Sequence, residues 1–556
     1  MPPRVKPSPG EFSSYAGRWI ARLGERIVGQ GGTPEQALWA AKTSRFKEDP
    51  QVDYIPTSQP LTFSERLERV RQCLPPDLTV YLVGGAVRDA LLGRDTHDMD
   101  FVLPAEALAI GRRVADALQG AYYPLDEERQ MARVVTILPD GTREVLDFAM
   151  LHGPDLESDL RQRDFTVNAM AVDLRQTQAL LDPLGGAADL RSKSLRACSA
   201  VAFNDDPVRI LRGVRLAAEF GLRIQRETLR DMRQAIHLLE HSSPERKRDE
   251  LFRILEGPQP ATAMLALEMI GALPNVLPEL GTLKGVEQSP PHVGDVWTHT
   301  LDVLRQLEAL AMVLDRSYHP DAAANLPFGL VTMRLGRYRE QVTAHLKTSI
   351  NPERRLRALL FLAALYHDVA KPVTRQLDEK GKYRFFDHEQ IGAEVVEQRA
   401  AALALSNDEI TRLGTIVRQH MRPIHLGQLE QPPTRRAIYR FFRDCGEAGV
   451  DICLLSMADV LATYGPGMPQ EVWGRHLDTI RLLLEAWWEH RDESILPPAL
   501  LNGYDLMAAL DLKPGKQVGV LLETIREAQA AGQISDREAA LELARSWMVE
   551  HPNDQG

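Results

Sequence analysis

At 556 residues, with 44% hydrophobic and 26% charged residues, the chain has the composition of a folded globular protein too long for one core, and several domains are expected. Its formal net charge of −11 excludes indiscriminate coating of nucleic acid, so any RNA contact has to follow a local basic stripe. No apolar run approaches the ~20 residues of a membrane span, the Pro-rich start MPPRVKPSPGEF lacks the apolar stretch of a signal peptide, and Cys73, Cys198, Cys445 and Cys453 form no CxxC pair; a cytoplasmic protein with reduced thiols is the expectation.

Residues 1–60 divide into the Pro-rich tip, a hairpin within GRWIARLGERIVGQGG, a short helix opened by Thr33-Pro34-Glu35, and a polar linker ending near Pro60. They form an extension to which the sequence assigns no chemistry. Residues 61–200 alternate apolar strand runs (TVYLV, MDFVLP, ARVVTILP, REVLDFAM, TVNAMAVDL) with helical stretches, which predicts a head built on a mixed sheet. From 201 onward helical spacing takes over. The fold class is therefore α+β: a head, a helical neck over 201–285, a helical domain over 286–470 and a helical tail over 471–556.

Within the head, Val80–Val83 reads as a short buried strand, Gly84-Gly85 as a turn that exposes bare backbone, and Ala86–Leu92 as a helix opening toward it. Asp98-Met99-Asp100 lies in the next strand. Alternation puts Asp98 and Asp100 on one face and Met99 on the other. Two carboxylates side by side repel, so the arrangement calls for a divalent cation, and an oxygen-only donor set suits Mg²⁺ with a nucleotide's phosphates. The strand REVLDFA offers Glu144 or Asp147 as a third carboxylate. They point to opposite faces, and sequence alone does not choose.

With this order of motifs the chain resembles the polymerase-β-like nucleotidyltransferases, and specifically the bacterial-type CCA-adding enzyme and poly(A) polymerase family. The resemblance implies that Asp98 and Asp100 hold catalytic Mg²⁺ and that Gly85 and Arg88 line the phosphate pocket. DLRQRDFTVNAMAVD (159–173) resembles the family motif RRDFTINAMA, which implies that Arg163 contacts the incoming nucleotide and Asp164 holds it or its ribose. Gln162 departs from the usual first arginine.

Seven arginines run from Pro207 to Arg233, and Asp206, Arg209, Arg212 and Arg215 recur every third residue as one polar stripe on a helix capped by Asp205 or Asp206. Cytosine and adenine present an amino donor beside a ring-nitrogen acceptor, whereas uracil and guanine present a carbonyl beside an N–H. A carboxylate only accepts and a guanidinium only donates, so an Asp/Arg pair admits the first two bases and rejects the others, by roughly 1–3 kcal/mol per bidentate pairing. The family writes this motif EDxxR, with Asp205 here in place of Glu. By resemblance Asp206 and Arg209 act as a protein template while Arg212 and Arg215 reach the triphosphate. SPERKRDELFRIL (243–255) resembles the neck motif, whose Glu245, Arg246, Arg248 and Glu250 are expected to brace that helix.

A second constellation follows. His299, the doublet His367-Asp368, and Asp459 match the H…HD…D pattern of HD-type phosphohydrolases, with His388 and His420 as further candidates for metal or substrate phosphate. The resemblance implies a divalent metal of unspecified identity and attack of water on a phosphoester, such as a 2′,3′-cyclic phosphate or a phosphate at a damaged tRNA end. Residues 502–547 resemble the family's tail, where Pro514-Gly515 and Lys516 open a helix toward RNA phosphate.

The function implied is addition of C and A to the tRNA 3′ end from CTP and ATP, with no membrane and no obligate protein partner. The stretch MLHGPDLESDLRQR (150–163) is shorter than the flexible loop of full CCA-adding members, which keeps CC-only addition as the alternative. Poly(A) polymerase, and then an HD phosphohydrolase with an RNA-binding head, follow.

Overall fold

The computed structural model describes residues 15–24, 26–42, 49–56, 61, 63, 65–138, 142–317, 325–351, 354–429 and 431–551. The Pro-rich tip and residues 57–60 of the expected linker lie outside the described residues. The chain folds as two compact units, Met1–Ser242 and Ser243–Gly556.

In the first unit β1 (Arg18–Leu23) and β2 (Arg26–Gly31) form the expected hairpin, followed by α1 (Pro34–Lys42). A third strand, β3 (Gln51–Ile55), pairs antiparallel with β1 where a polar linker was expected. Its alternating Val52 and Tyr54 supply the reason: both pack into the small core under the hairpin, Tyr54 with its ring 5.4 Å from that of Trp19. This sheet docks on the head backbone to backbone. Asp182 N–H donates to the Gly32 carbonyl at 2.7 Å, Trp19 Nε1 donates to the Leu180 carbonyl at 2.8 Å, and a Cβ at Gly32 would lie 1.4 Å from the Asp182 oxygen.

The head comprises α2 (Glu65–Cys73), β4 (Tyr81–Val83), α3 (Gly85–Leu91), β5 (Asp98–Leu103), α4 (Ala107–Leu118), β6 (Ala121–Asp126), β7 (Met131–Ile137), β8 (Arg143–Met150), α5 (Leu156–Arg161), β9 (Ala171–Asp173) and β10 (Leu180–Leu181). These strands make a seven-stranded mixed sheet in the order β10-β9-β4-β5-β8-β7-β6, with β5 and β8 parallel. One face carries Met99, Phe101, Leu103, Leu146 and Phe148 into a core roofed by Ala107, Ile110 and Val114 of α4; Phe101 and Phe148 stack at 4.9 Å. The other face packs Val83, Val102 and Ala171 against Leu160 and Ala169 at one end of β5. At the opposite end of that face Asp98 and Asp100 stay exposed.

After α6 (Gly186–Arg191), the short α7 (Ala202–Asp205) leads to α8 (Arg209–Phe220), still within the first unit. The expected start of α8 moves: Asp206 takes extended backbone between the two helices, its carboxylate accepts the Val208 N–H at 3.3 Å, and regular helix begins at Arg209. Ile210, Leu211, Val214 and Leu216 are buried as their spacing requires.

Among the described residues the second unit is helical apart from two short strand pairs. Its central helix, Ala448–Tyr464, is buried along nearly its whole length. By length and composition Ala448–Gly467 passes for a membrane span, against the expectation that no such run exists, but 83% of that window is buried inside the protein. Arg354 and Glu409, both buried, pair through two hydrogen bonds of 2.7 and 2.9 Å. In the expected neck motif Arg248 pairs with Asp249 at 2.8 Å and Glu250 with Arg253 at 3.5 Å, both within helix Pro244–Glu256. Leu506, Val518, Leu521, Ile525, Ala540 and Ala544 form a separate small core in the tail. All four cysteines are free; Cys445 and Cys453 are buried, and Cys73 and Cys198 half-buried.

Candidate functional site

The register of the sheet assembles the first site. Val83, Asp100 and Asp147 are neighbours across β4, β5 and β8, so the turn after Val83 begins beside Asp100, and Asp147 shares its face. Gly84 makes that turn at φ +78, a conformation that favours glycine, and a Cβ there would lie 3.1 Å from Asp100 Oδ2 and 3.3 Å from a guanidinium nitrogen of Arg163. Asp100, Gly84 and Arg163 thus meet directly, with Asp98 two residues along the same exposed face of β5. Protein crowding Asp100 on its inner side holds its carboxyl above the ordinary range; Arg163 pulls it down, and Asp147 and Asp98 push it up. A divalent cation relieves that repulsion, and the two carboxylates fit one.

Glu144 is buried on the opposite face, accepting a hydrogen bond from Thr136 at 2.7 Å. Asp147 is therefore the neighbouring carboxylate, but Arg133, opposite it on β7, takes both its oxygens at 2.8 Å. Among the described residues these three aspartates do not close into a tight cluster of donors.

Behind this face a chain of polar contacts links the other predicted residues. Arg88, buried over the Phe220 ring, donates to Asn168 Oδ1 at 2.7 Å; Asn168 donates to Asp164 at 3.3 Å; and Arg212 meets Asp164 Oδ2 at 3.1 Å. Burial alone would raise Asp164, but Arg212 and the Phe165 N–H, at 2.6 Å, hold it below the ordinary carboxylate value. Arg163 is steadied by Asp159 at 3.2 Å. Arg209 lies 3.8 Å from Asp206 and donates to the Gln162 carbonyl at 2.9 Å, which ties the Asp/Arg pair to the turn after α5 that carries Arg163. Arg215 pairs with Glu219 at 3.2 Å, one turn further along its own helix. Gln162, in the place of an arginine, donates to the His152 carbonyl at 3.1 Å and so closes the connector between β8 and Asp164.

The second site gathers inside the second unit. His299 on helix Val296–Val313 and Asp459 on helix Ala448–Tyr464 approach to 3.1 Å, and Asp368 Oδ2 lies 3.1 Å from His367 Nε2 and 3.6 Å from His299 Nε2. All four are buried. These donors converge rather than bond to one another: His299 Nδ1 and Nε2, His367 Nε2 and Asp368 Oδ2 make no hydrogen bond of acceptable geometry. His367 Nδ1 is fixed by the Ala364 carbonyl at 2.7 Å, the usual support of a metal-ligating imidazole. The donor set fits a divalent metal. Burial alone would raise both acids, but His367, Lys371 and His299 hold Asp368 and Asp459 well down; burial drives His420 down to about 3 and His476 to about 4, leaving both neutral at pH 7.

Three segments match family models: residues 80–196 the Poly A polymerase head domain, 221–283 the "Probable RNA and SrmB- binding site of polymerase A", and 296–445 the HD domain. An A-adding tRNA nucleotidyltransferase of Deinococcus radiodurans is 34% identical over 87% of this chain and 99% of its own. The chain belongs to the tRNA nucleotidyltransferase family. A CC-adding tRNA nucleotidyltransferase of Thermus thermophilus is 33% identical over 84% of this chain and 93% of its own. Among solved structures, a CCA-adding enzyme complexed with CTP superposes with a TM-score of 0.54 at 21% identity (88% of this chain, 96% of that one), and the Thermotoga maritima CCA-adding enzyme complexed with tRNA with 0.52 at 20% (88% and 97%). At those identities the structural likeness establishes the fold.

Within this tRNA nucleotidyltransferase several residues escaped sequence reasoning. Asn168 and Asp159 flank the Arg163-Asp164 pair and position it, and Asn168 stands inside the quoted motif. Arg133 has no local signal, because only the β7–β8 register brings it to Asp147. Lys371, 2.7 Å from Asp368 Oδ2, lies one turn beyond the His-Asp doublet, a spacing that could have flagged it.

Proposed function

We propose that the head builds the 3′-terminal CCA of tRNA, transferring C and A from CTP and ATP without a nucleic-acid template. The observation that carries this reading is the exposed Asp98–Asp100 face, with Gly84 and Arg163 against it. The primer's 3′-oxygen attacks the α-phosphorus, the bond to the β-phosphate oxygen breaks, and pyrophosphate leaves. Mg²⁺ held by Asp98 and Asp100 would assist removal of the hydroxyl proton and neutralise the leaving charge. Gly84 and Gly85 let the phosphates approach bare backbone, Arg163 supplies positive charge beside Asp100, and Asp164, Asn168 and Arg212 hold the wall behind it. Asp206 accepts from the amino group of cytosine or adenine while Arg209 donates to the adjacent ring acceptor.

A second reading, CC-only addition, is favoured by the connector after β8. Asp155 caps α5, Asp159 accepts the His152 N–H at 2.9 Å, and Gln162 returns to the His152 carbonyl, so no long loop remains to reshape the pocket. Relatives named for CC addition and for A addition both match most of the chain. Transcripts of tRNA lacking CCA, and lacking only the terminal A, incubated with CTP alone, ATP alone or both, separate the outcomes. Full addition extends the first by three nucleotides; CC-only addition stops after two whatever ATP is present; poly(A) synthesis runs on with ATP alone. We assign the buried second site a phosphohydrolase activity. It predicts hydrolysis that survives loss of Asp98 and is lost with His367.

A further inference from the structure

We propose that the N-terminal extension is a working part of the nucleotide pocket and that Gln36 is a positioning residue: by pinning α5 through Glu157 it fixes Asp159 and, through Asp159, the Arg163 guanidinium that receives the incoming nucleotide. This rests on the nucleotidyl-transfer reading of the head and deepens it.

The extension precedes the matched family segments, which begin at residue 80, and its own sequence names no chemistry. Its contacts with the head do. Gln36, in the first turn of α1, engages both ends of its amide: Oε1 accepts the Gly32 N–H at 3.0 Å, while Nε2 donates to the Pro183 carbonyl at 3.1 Å and to Glu157 Oε1 at 3.3 Å. A glutamine on a solvated helix face spends these groups on water. Here two of the three bonds cross to the head, and the one to Glu157 has a charged acceptor. Both sides of the crossing are held. Gly32 is tied through its carbonyl to Asp182 N–H, and the Asp182 carboxylate is itself fixed by the Gly186 and Ala187 N–H groups at 2.7 and 3.0 Å. Leu181 packs against the Trp19 core of the extension and also against the cluster that holds Leu160 of α5 and Val83, so apolar contact runs beside the polar one.

What the extension grips is the element that aims the nucleotide-facing groups. With six residues, α5 is too short to be held by its own hydrogen bonds, so outside contacts set its position. Leu160 anchors its inner side, and Gln36 holds Glu157 on the outer side; the Glu157–Arg161 pair at 2.6 Å lies within α5 and ties it to nothing else. One turn from Glu157, buried Asp159 divides its carboxylate, Oδ1 accepting the His152 N–H at 2.9 Å and Oδ2 facing Arg163 Nε at 3.2 Å. The turn that follows offers the Gln162 carbonyl to Arg209. The guanidinium beside Asp100 and the anchor of the base-reading pair therefore both hang on this short helix. Release of Glu157 lets α5 shift and Arg163 draw back, while Asp98 and Asp100 stay on β5. The loss falls on nucleotide affinity rather than on transfer once the nucleotide is bound.

The test uses the full-length chain, with steady-state incorporation of labelled CMP into tRNA lacking CCA and equilibrium binding of CTP. Gln36→Ala is expected to raise KM and Kd for CTP by about 3- to 10-fold, the net worth of one hydrogen bond expressed as a ratio of affinities, with kcat within about two-fold of the parent. Glu157→Ala is expected to give the same rise, and the double variant no more than the larger single one, because both remove the same contact. Glu157→Gln keeps an acceptor for Gln36 and is expected to recover most of the affinity. Circular dichroism checks folding, and Glu157→Ala, on the outer side of α5, keeps the test decisive if Gln36→Ala does not fold. KM and Kd within about two-fold of the parent in the folded single variants, a fall in kcat with KM unchanged, or additive effects in the double variant overturns the proposal. A parent that binds CTP without incorporating it overturns the transferase reading alone, and the binding constants then decide the positioning role; a parent that does neither overturns both.

Discussion

Gly84→Ala tests whether the glycine turn and the Asp98–Asp100 face work as one object. The substitution has two separable costs. Backbone at φ +78 and ψ −140 is sparsely available to a residue with a side chain, at about 1–3 kcal/mol. The added Cβ also meets Asp100 Oδ2 at 3.1 Å and Arg163 at 3.3 Å, closer than ordinary contact, so both groups must retreat by a few tenths of an ångström. Misplacement of reacting groups by about 1 Å can cost about 100-fold in rate, so a retreat of a few tenths of an ångström is expected to slow nucleotide transfer by roughly 4- to 10-fold. Urea unfolding measures the first cost, and single-turnover incorporation of labelled CMP into tRNA lacking CCA measures the second. Phosphoester hydrolysis by the second unit serves as the internal control. If stability falls by the expected amount while incorporation stays within about two-fold of the parent, the turn is only structural and the reasoning fails.

Other perturbations follow from the same geometry. Arg212→Ala removes the cation facing buried Asp164; because Phe165 N–H and Asn168 remain as partners, the loss of stability by denaturant titration should be about 2 kcal/mol rather than the 3–5 of a fully broken buried pair. Glu409, buried against Arg354, has its folded value lowered: burial would raise it, but Arg354 and Ser406 more than offset that. A depressed carboxylate contributes stability that is present above its unfolded value near 4.3 and is lost as pH falls through the folded one. Glu409→Gln should therefore destabilise the protein at pH 7 and flatten the loss of stability below about pH 4. Phe148→Ala, at the stacked centre of the head core, should cost about 3–5 kcal/mol in unfolding free energy. Chelation by EDTA should abolish both activities, with Mg²⁺ restoring incorporation.

The parts legible in the sequence were those with a local period. Asp98-Met99-Asp100 had to present its acids on one face of a strand, and Ile210, Leu211 and Val214 had to turn inward on a helix. What required the folded chain were choices set by partners distant in sequence. Glu144 and Asp147 are equal candidates on paper, and only the parallel pairing of β5 with β8 puts Asp147 beside Asp100. The same register delivers Arg133, whose strand reads as any other. β3 reads as linker in the sequence because Val52 and Tyr54 make too short an alternation to stand out until β1 and Trp19 are placed beside them. His388 and His420 are single histidines far apart in the chain, and their convergence on Asp368 emerges only when the helices pack.

The most direct measurement is Mg²⁺-dependent incorporation of labelled CMP into tRNA lacking CCA by the Asp98→Asn, Asp100→Asn chain, shown by circular dichroism to be folded. Loss of the carboxylate charges that hold the ion removes several kcal/mol of transition-state stabilisation, so incorporation should fall by at least about 1,000-fold while hydrolysis by the second unit continues. Incorporation within about ten-fold of the parent would mean that another set of residues transfers the nucleotide, and would contradict the account.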